Sequence, residues 1–319
     1  MSEQATRGRI VVGVDGSPGG RAALLWALTT AARTGAEVEV VSAVPVDPWT
    51  APHLLDVRGV EAIRADTEAR LRADVTQAMG DPAVRDVMRD GAVLVHVTVV
   101  CGEPTEELVA RARDAALLVV GSRGRGAVAS ALLGSVALHC SAHSPCPVVV
   151  VHATTSASAP RVVVGIDDSS VARAALVQAV GFARLLGARV EAVLVCQPVT
   201  YWSDITVPAP PVGESPQEAR ARADGIVTAA LGPSPHPELD VVVETGAPGD
   251  VLVRRSEGAG LLVVGSRSRS RLTGLALGSV ALHCVVHASC AVLVVRGGGT
   301  HATRASTTAG AAAGGRLGR

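Results

Sequence analysis

Two kinds of segment alternate along the chain when its hydrophobic and polar positions are followed from the start. Short runs of Val, Ile and Leu, the first at 9–15, are apolar at nearly every position, which is typical of strands buried on both faces. The segments between them are longer, rich in Ala and Leu or in charge, and carry helix start signals such as Ser17-Pro18. This alternation predicts a parallel sheet covered by helices on both faces.

Strands and helices are predicted in regular order through the first half of the chain. The strands span 9–15, 37–44, 92–100, 116–121 and 147–151, and the helices span 17–34, 57–79, 105–114 and 135–143. A stretch containing Pro45, Pro48 and Pro52 separates the second strand from the second helix. The order predicts a doubly wound α/β domain.

The same pattern occurs a second time. RIVVGVDGS at 9–17 returns as RVVVGIDDS at 161–169, and GSVALHC at 134–140 returns unchanged at 278–284. The offset is 152 residues at the first landmark (161 against 9) and 144 at the second (278 against 134). Because a period this long is a whole domain, we predict domains over 1–151 and 161–296. The small, polar segment 152–160 is predicted to be a linker, and 297–319, almost without large apolar residues, a disordered tail.

The composition narrows the chemistry. The 319 residues are 48% hydrophobic but only 2% aromatic, and they include no lysine and no asparagine. The missing lysine excludes a Walker A phosphate loop and a pyridoxal phosphate Schiff base, and the missing asparagine excludes N-glycosylation. With a formal net charge of zero, no overall field attracts nucleic acid or an anionic membrane.

Location in the cell is predicted from three absences. The first residues are polar, no apolar run approaches the roughly 18 residues of a membrane helix, and the six cysteines include no C-x-x-C motif. Reduced thiols are therefore expected, and we predict a cytoplasmic protein that neither spans a membrane nor is exported.

Candidate binding residues lie where predicted strands end, because ligands of open α/β sheets bind beyond the carboxyl ends of the strands. The first strand ends in Gly13-Val14-Asp15, which places a carboxylate beside a position without a side chain. Such a carboxylate suits the hydroxyl groups of a ribose. The alternative is that Asp15 only caps the turn to Ser17.

A glycine motif follows the fourth strand. Gly121-Ser122-Arg123-Gly124 is followed, after nine residues, by Gly134-Ser135 at a predicted helix start. Glycines let the backbone approach a phosphate closely, and the amide groups of a helix N-terminus attract anions. Arg123 and Arg125 either neutralise phosphate charge or are solvated loop residues.

These residues resemble the universal stress protein (UspA-like) family in its tandem, ATP-binding form. The resemblance rests on Asp15, the spaced glycine motif and the PVVVV run at 147–151, and it covers nearly all of 8–151 and 160–296. It implies Rossmann-like domains of the adenine nucleotide alpha hydrolase-like type, with ATP as the ligand. It also implies that Asp15 contacts ribose, that the backbone of Ala43 contacts adenine, and that the glycine loop and helix start hold the phosphates.

The resemblance assigns nucleotide-binding residues to both copies. In the first copy they are Gly13, Asp15, Ala43, Gly121, Arg123, Gly124, Arg125, Gly134, Ser135 and Val136, and in the second they are Gly165, Asp167, Val195, Gly265, Arg267, Ser268, Gly278, Ser279 and Val280. The second copy departs from the motif at Ser268, where a glycine is expected. A Cβ atom there disfavours a positive φ angle and takes space near the phosphates. We therefore expect the first copy to bind ATP more reliably than the second.

A recurring pair of histidines offers a different reading. His139 and His143 lie four residues apart, and His283 and His287 repeat the spacing, with cysteines nearby in both copies. Two such histidines can share a metal ion. However, no carboxylate accompanies them and Cys140 points to another helical face, so structural packing is favoured and no metal site is predicted.

The function that follows is an ATP-binding regulator of stress response or growth, acting through a protein partner that the sequence does not name. No Ser/His/Asp set, G-x-S-x-G elbow or G-x-G-x-x-G follows a predicted strand. The alternatives are a slow ATPase or phosphotransferase, with Mg²⁺ held mainly by the phosphates, and a nucleotide-free structural stress protein. The resemblance further implies that the fifth strands of the two domains pair within one chain as a pseudo-dimer, while a homodimer of chains stays open.

Overall fold

A computed structural model of the protein describes residues 8–44, 57–88, 93–125, 133–153, 159–196, 215–236, 238–267 and 277–297. The predicted linker lies partly outside these ranges, and the predicted tail lies outside them except for Gly297. Ser268 also lies outside the described residues.

The first domain follows the predicted order. Its elements are β1 (Arg9–Gly13), α1 (Pro18–Thr34), β2 (Glu37–Val44), α2 (Val57–Met79), α3 (Pro82–Arg85), β3 (Val95–Cys101), α4 (Pro104–Arg111) with a 3₁₀ turn (Ala112–Asp114), β4 (Leu117–Gly121), α5 (Ser135–His143) and β5 (Val148–Val151). The bounds of β2, α2 and α5 are those predicted. In contrast, β1 ends two residues early, because the chain turns at Asp15 to begin α1, and the short helix α3 was not predicted.

The second domain repeats this order with one helix fewer among its described residues. Its elements are β6 (Ala159–Ile166), α6 (Ser170–Leu186), β7 (Arg189–Cys196), α7 (Pro216–Leu231), β8 (Leu239–Thr245), α8 (Pro248–Arg255), β9 (Ala259–Gly265), α9 (Ser279–His287) and β10 (Ala291–Val295).

The ten strands in the described residues form one sheet, in the order β3-β2-β1-β4-β5-β10-β9-β6-β7-β8. Within each half the strands are parallel. The two halves meet at β5 and β10, which pair antiparallel with Val148 opposite Val294 and Val150 opposite Val292. The fold is therefore two tandem doubly wound α/β domains, as predicted, and their fifth strands pair within one chain.

Helices cover both faces of this sheet. Helices α1, α2, α3, α6 and α7 pack on one face, and α4, α5, α8 and α9 on the other, and each of the two hydrophobic cores contains residues of both domains. The side chains are mostly Val, Ala and Leu, so the helices approach closely. An aromatic contact joins the domains on the first face, where the rings of Trp26 and Phe182 lie 6.0 Å apart. No helix in the described ranges is both long and apolar enough to span a bilayer.

The antiparallel junction decides where ligands can bind. In each half the strands end at one edge of the sheet, and because β5 and β10 run in opposite directions, these are opposite edges. The two candidate sites therefore face away from each other along the strand direction.

A buried glutamate fixes the amino end of each half. Glu39 of β2 is 5% exposed and accepts from Arg9 at 2.8 Å and from Arg111 at 2.5 Å. It thereby joins β1, β2 and the end of α4. The second domain repeats the arrangement with Glu191, which Arg161 and Arg255 approach at 3.2 and 3.3 Å. A carboxylate removed from water in this way is stabilised only while both arginines remain.

We expect Glu39→Gln to lower the free energy of unfolding by about 2–3 kcal/mol, because it leaves two arginines facing each other without their carboxylate. The value is below that of a fully buried pair because Arg9 and Arg111 are 35% and 29% exposed. Urea unfolding measures the change. As a control, Glu68→Gln removes the exposed ion pair with Arg72 and should cost less than about 0.5 kcal/mol. Equal losses in the two variants would contradict the role given to Glu39.

Candidate functional site

Asp15 lies just beyond the carboxyl end of β1 and is held by hydrogen bonds. Its Oδ1 accepts from the backbone N–H of Ser17 at 3.0 Å and from the Ser17 hydroxyl at 2.6 Å. The same hydroxyl oxygen accepts from the N–H of Gly20 at 3.0 Å and so caps α1. Asp15 therefore does cap the turn to Ser17, the alternative noted from the sequence.

The other carboxylate oxygen of Asp15 reaches the glycine loop. Its Oδ2 accepts from the backbone N–H of Arg125 at 2.8 Å. Burial acts to raise the pKa of Asp15, but the hydrogen bonds from Ser17 and Arg125 outweigh it and place the pKa below the usual carboxyl range. Asp15 is thus a stable carboxylate that ties the tip of β1 to the loop after β4.

The glycines of the loop are required by close packing against α1. A Cβ atom on Gly121 would lie 2.5 Å from the carbonyl carbon of Gly19, and one on Gly124 would lie 2.5 Å from Oδ2 of Asp15. A Cβ atom on Gly19 would overlap the carbonyl oxygen of Arg123. The loop therefore lies directly on the first turn of α1 and leaves no room for side chains between them.

The start of α5 lies beside this loop. The N–H of Gly134 donates to the Ser122 carbonyl at 2.8 Å, and the space where a Gly134 Cβ would stand is 3.6 Å from Cα of Arg123. Gly134 is the N-cap of α5 and supplies no side-chain hydrogen bond to the first turn. The amide groups of that turn are therefore without a side-chain cap.

The N-termini of α5 and α9 share a combination that the other helices with described caps lack. Ser17, Ser169, Ser215 and Asp81 cap the helices that follow them, and α4 and α8 begin with a proline and have acidic residues in the first turn. By contrast, α5 and α9 have neither a side-chain cap, a leading proline nor an acidic residue in the first turn. They keep their amide donors and their positive potential, which is the environment that an anion prefers.

The other residues assigned to the first site lie at the same edge of the sheet or near it. Ala43 is the penultimate residue of β2, and Ser135, Arg123 and Arg125 are exposed. At Gly13 a Cβ atom would lie 2.9 Å from Cδ1 of Leu108 on α4. The lack of a side chain at Gly13 is explained by packing against that leucine.

The second domain repeats the framework of the site. Gly278 donates to the Ser266 carbonyl at 2.7 Å, as Gly134 does to Ser122, and the N–H of Ser169 donates to Oδ1 of Asp167 at 2.9 Å. Ser279 and Val280 open α9, Val195 is the penultimate residue of β7, and Gly265 ends β9. Arg267 is exposed. A Cβ atom on Gly165 would lie 2.8 Å from Cδ1 of Leu252, as one on Gly13 would lie close to Leu108.

One difference between the domains was missed from the sequence. Val171 stands where the first domain has Gly19, and a Cβ atom on Gly265 would lie 3.0 Å from Cγ1 of Val171. The first domain has no space for a side chain at this position, because the loop carbonyl of Arg123 fills it. The second loop therefore cannot close on its helix in the same way. The signal in the sequence is GSPGG after Asp15 against DSSVA after Asp167.

The rings of His139 and His143 are stacked, whereas those of His283 and His287 are tilted. Contrary to the expectation that no carboxylate accompanies these histidines, Oδ1 of Asp250 lies 2.9 Å from Nε2 of His283. The rings of His139 and His143 lie 4.3 Å apart, and those of His283 and His287 lie 4.5 Å apart. The described part of the chain contains no group of three His, Cys, Asp or Glu side chains that could hold a metal ion. Burial raises the pKa of the neighbouring Cys140 thiol to about 12, so it is a neutral core residue.

Comparison with known proteins finds relatives of both halves. The universal stress protein family matches residues 6–152 and 159–296. A universal stress protein of Mycobacterium tuberculosis is 33% identical over 303 residues, covering 92% of this chain and 99% of that protein. One of Mycolicibacterium smegmatis is 30% identical over 311 residues, covering 93% and 99%. The crystal structure of a universal stress protein from Archaeoglobus fulgidus matches with a TM-score of 0.64 at 20% identity, covering 91% of this chain and 98% of that one, and supports the fold.

We expect Asp15→Asn to lower the free energy of unfolding by about 1–2 kcal/mol near neutral pH, because three hydrogen bonds lose their charged acceptor. A carboxyl whose pKa is lowered by folding stabilises the protein above its unfolded-state pKa, and this stabilisation is lost as the pH falls through the folded-state pKa. The difference between wild type and variant in urea unfolding should therefore shrink in acid. Asp86→Asn, at an exposed position, is the control and should change little. A loss that stays constant into strong acid would contradict this account.

Proposed function

The chain belongs to the universal stress protein family, and we propose that it is an ATP-binding protein that regulates stress response or growth through its nucleotide state. The observation that carries the proposal is the N-terminus of α5, which is uncapped, free of acidic residues in its first turn, and adjacent to the glycine loop. A triphosphate supplies the negative charge that this arrangement favours. The proposal needs no lysine, because backbone amides and arginines replace the Walker A side chain.

Asp15 is suited to bind the ribose. An ionised carboxylate has about four acceptor positions, and three are used by Ser17 and Arg125. A ribose hydroxyl takes the remaining position or replaces the N–H of Arg125. In the second case the released N–H becomes a further donor to the phosphates, so binding of the sugar and of the phosphates favour each other.

We assign the contacts for adenine and the phosphates to residues at the same edge of the sheet. The backbone of Ala43 at the end of β2 is the proposed contact for adenine, and Arg123 and Arg125 are the proposed cations for the phosphate charge. Mg²⁺ that accompanies ATP would be held mainly by the phosphates.

We propose binding and signalling rather than rapid hydrolysis. A general base needs a pKa near the working pH and access to the attacking water. Asp15 meets neither condition, because its pKa is lowered and its oxygens accept hydrogen bonds from the protein. We place this function in the cytoplasm, in keeping with six cysteines that all lie in the described residues and form no disulfide.

We expect the purified full-length chain to release adenine nucleotide on denaturation and to bind added ATP in calorimetric titrations. Asp15→Glu and Gly124→Ala should each weaken binding at least about ten-fold, a loss of roughly 1.4 kcal/mol. Glutamate displaces the carboxylate, and a Cβ on residue 124 meets Oδ2 of Asp15 at 2.5 Å. Gly225→Ala is the matched control, because a Cβ there meets nothing within 4 Å.

Two outcomes of that experiment would contradict the proposal. Absence of nucleotide together with no ATP binding would favour the nucleotide-free structural protein. Several turnovers of ATP per minute that vanish in both variants would favour the slow ATPase or phosphotransferase.

We further expect the two domains to bind ATP unequally, the first more tightly by about ten-fold. Val171 and Ser268 replace the glycines at positions where the first domain has no room for a Cβ atom. In titrations of the full chain, Asp15→Glu should leave binding at the weaker site, and the matched change Asp167→Glu should leave binding at the tighter one. Equal affinities would show that neither replacement matters.

A further inference from the structure

Helices α5 and α9 connect the two candidate sites across one face of the sheet. Helix α5 begins at the first site and ends at His143, just before β5. Because β10 runs antiparallel to β5, the start of β5 lies beside the end of β10, at the edge of the second site. The nine residues of α5 thus span about 13 Å from one site to the other. Helix α9 spans the same distance in the opposite direction.

Arg296, the residue after β10, holds the far end of α5. Its Nη1 donates to the carbonyl of Ser141 at 3.4 Å and to that of Ala142. Both carbonyls belong to the last turn of α5, where they have no partner within the helix. A cation at a helix C-terminus is also favoured by the helix dipole. A residue of the second domain therefore fixes the helix whose N-terminus faces the first site.

Arg296 lies beside the glycine loop of its own domain, because the N–H of Ser266 at the start of that loop donates to the carbonyl of Val295 at 2.7 Å. Burial lowers the pKa of Arg296, and the positive charge of Arg267 lowers it further. Arg296 remains charged at neutral pH, so two like charges lie close together in a partly desolvated place. A phosphate held near Arg267 would offset this repulsion and strengthen the hold of Arg296 on α5.

His152 is the counterpart of Arg296 in the first domain. It follows β5 as Arg296 follows β10, and the N–H of Ser122 in the adjacent loop donates to the carbonyl of Val151 at 2.8 Å. The His152 ring donates to the backbone carbonyl of Val285 in the last turn of α9. Burial lowers the pKa of His152, the charge of Arg123 lowers it further, and the contact with Val285 acts in the opposite direction. The charge of Arg123, from the loop after β4, therefore lowers the pKa of His152 as the charge of Arg267 lowers that of Arg296.

We propose that Arg296 and His152 are positioning residues that couple the two sites, each holding the helix of the opposite site from beside the glycine loop of its own. This inference rests on the proposed function, since it takes the phosphates of ATP as the anion. Occupation of either loop steadies the helix that serves the other, so the two sites bind ATP with positive cooperativity. Arg296 carries a permanent charge, whereas His152 can take up a proton when the charge of Arg123 is neutralised.

The test is calorimetric titration of ATP into the full chain. Arg296→Gln should weaken binding at the first site about five-fold and reduce the cooperativity to the part carried by His152, although Arg296 lies in the other domain. Arg296→Lys should restore most of both. Arg189→Gln, which breaks the exposed ion pair with Asp240, is the matched control and should bind as wild type does. If wild type binds ATP and Arg296→Gln binds it equally well, the coupling is wrong while the proposed function stands. If wild type binds no ATP, the proposed function itself fails.

The role of His152 is tested with His152→Arg, which places a permanent cation at this position as at Arg296. Titrations near pH 6 in two buffers of different ionisation enthalpy give the protons taken up on binding. Wild type should take up more protons than His152→Arg, because a phosphate near Arg123 raises the pKa of His152 in the complex, and the protonation of ATP itself is common to both. ATP affinity of wild type should accordingly rise more steeply toward low pH. Equal proton uptake in the two proteins would overturn the role of His152.

Discussion

The antiparallel pairing of β5 with β10 is the contact on which the arrangement of the whole molecule depends. It joins two five-stranded sheets into one and merges the hydrophobic cores of both domains on each face. It also sets the direction of each half, so that the carboxyl ends of the strands, and with them the candidate sites, lie at opposite edges. Helices α5 and α9 pack in the same hydrophobic core as β5 and β10, and each reaches from its own site to the edge of the other.

Much of the fold could be predicted because its signals are local. The uniform apolar runs mark buried strands, and the bounds of β2 and α2 follow from where these runs and the charged helical pattern begin and end. Ser17-Pro18 marks the start of α1 in the same way. The repeat then extends the assignment to the second half. The short helix α3 was missed because four residues carry too little periodicity to be recognised.

The candidate site was predicted less completely, because the reasons for its residues are not local. Gly13 was assigned to the ligand, whereas Leu108, nearly a hundred positions later, fills the space beside it. Gly19 was overlooked, since only the fold brings the carbonyl of Arg123 against it. For Asp15 one feature is local and one is not. Its position at the end of a strand can be predicted from the sequence, whereas the hydrogen bond that it accepts from the N–H of Arg125 depends on the position of a distant loop. Whether the assigned residues bind a nucleotide stays a prediction.

The differences between the two copies lie at the glycine loop and at the helix contact of each site. Val171 replaces Gly19 and Ser268 replaces Gly124. In the first domain a Cβ atom on Gly19 would collide with the loop carbonyl of Arg123, and one on Gly124 would collide with Oδ2 of Asp15. The Cβ atom of Val171 occupies the position that the loop carbonyl fills in the first domain, and Ser268 adds a second side chain by sequence. The copies also differ in the residue after the fifth strand, which is His152 in the first domain and Arg296 in the second. The two copies thus share the sheet but differ in the loop and in the helix contact of each site. Two sites joined by one pair of helices therefore need not respond alike to nucleotide or to pH.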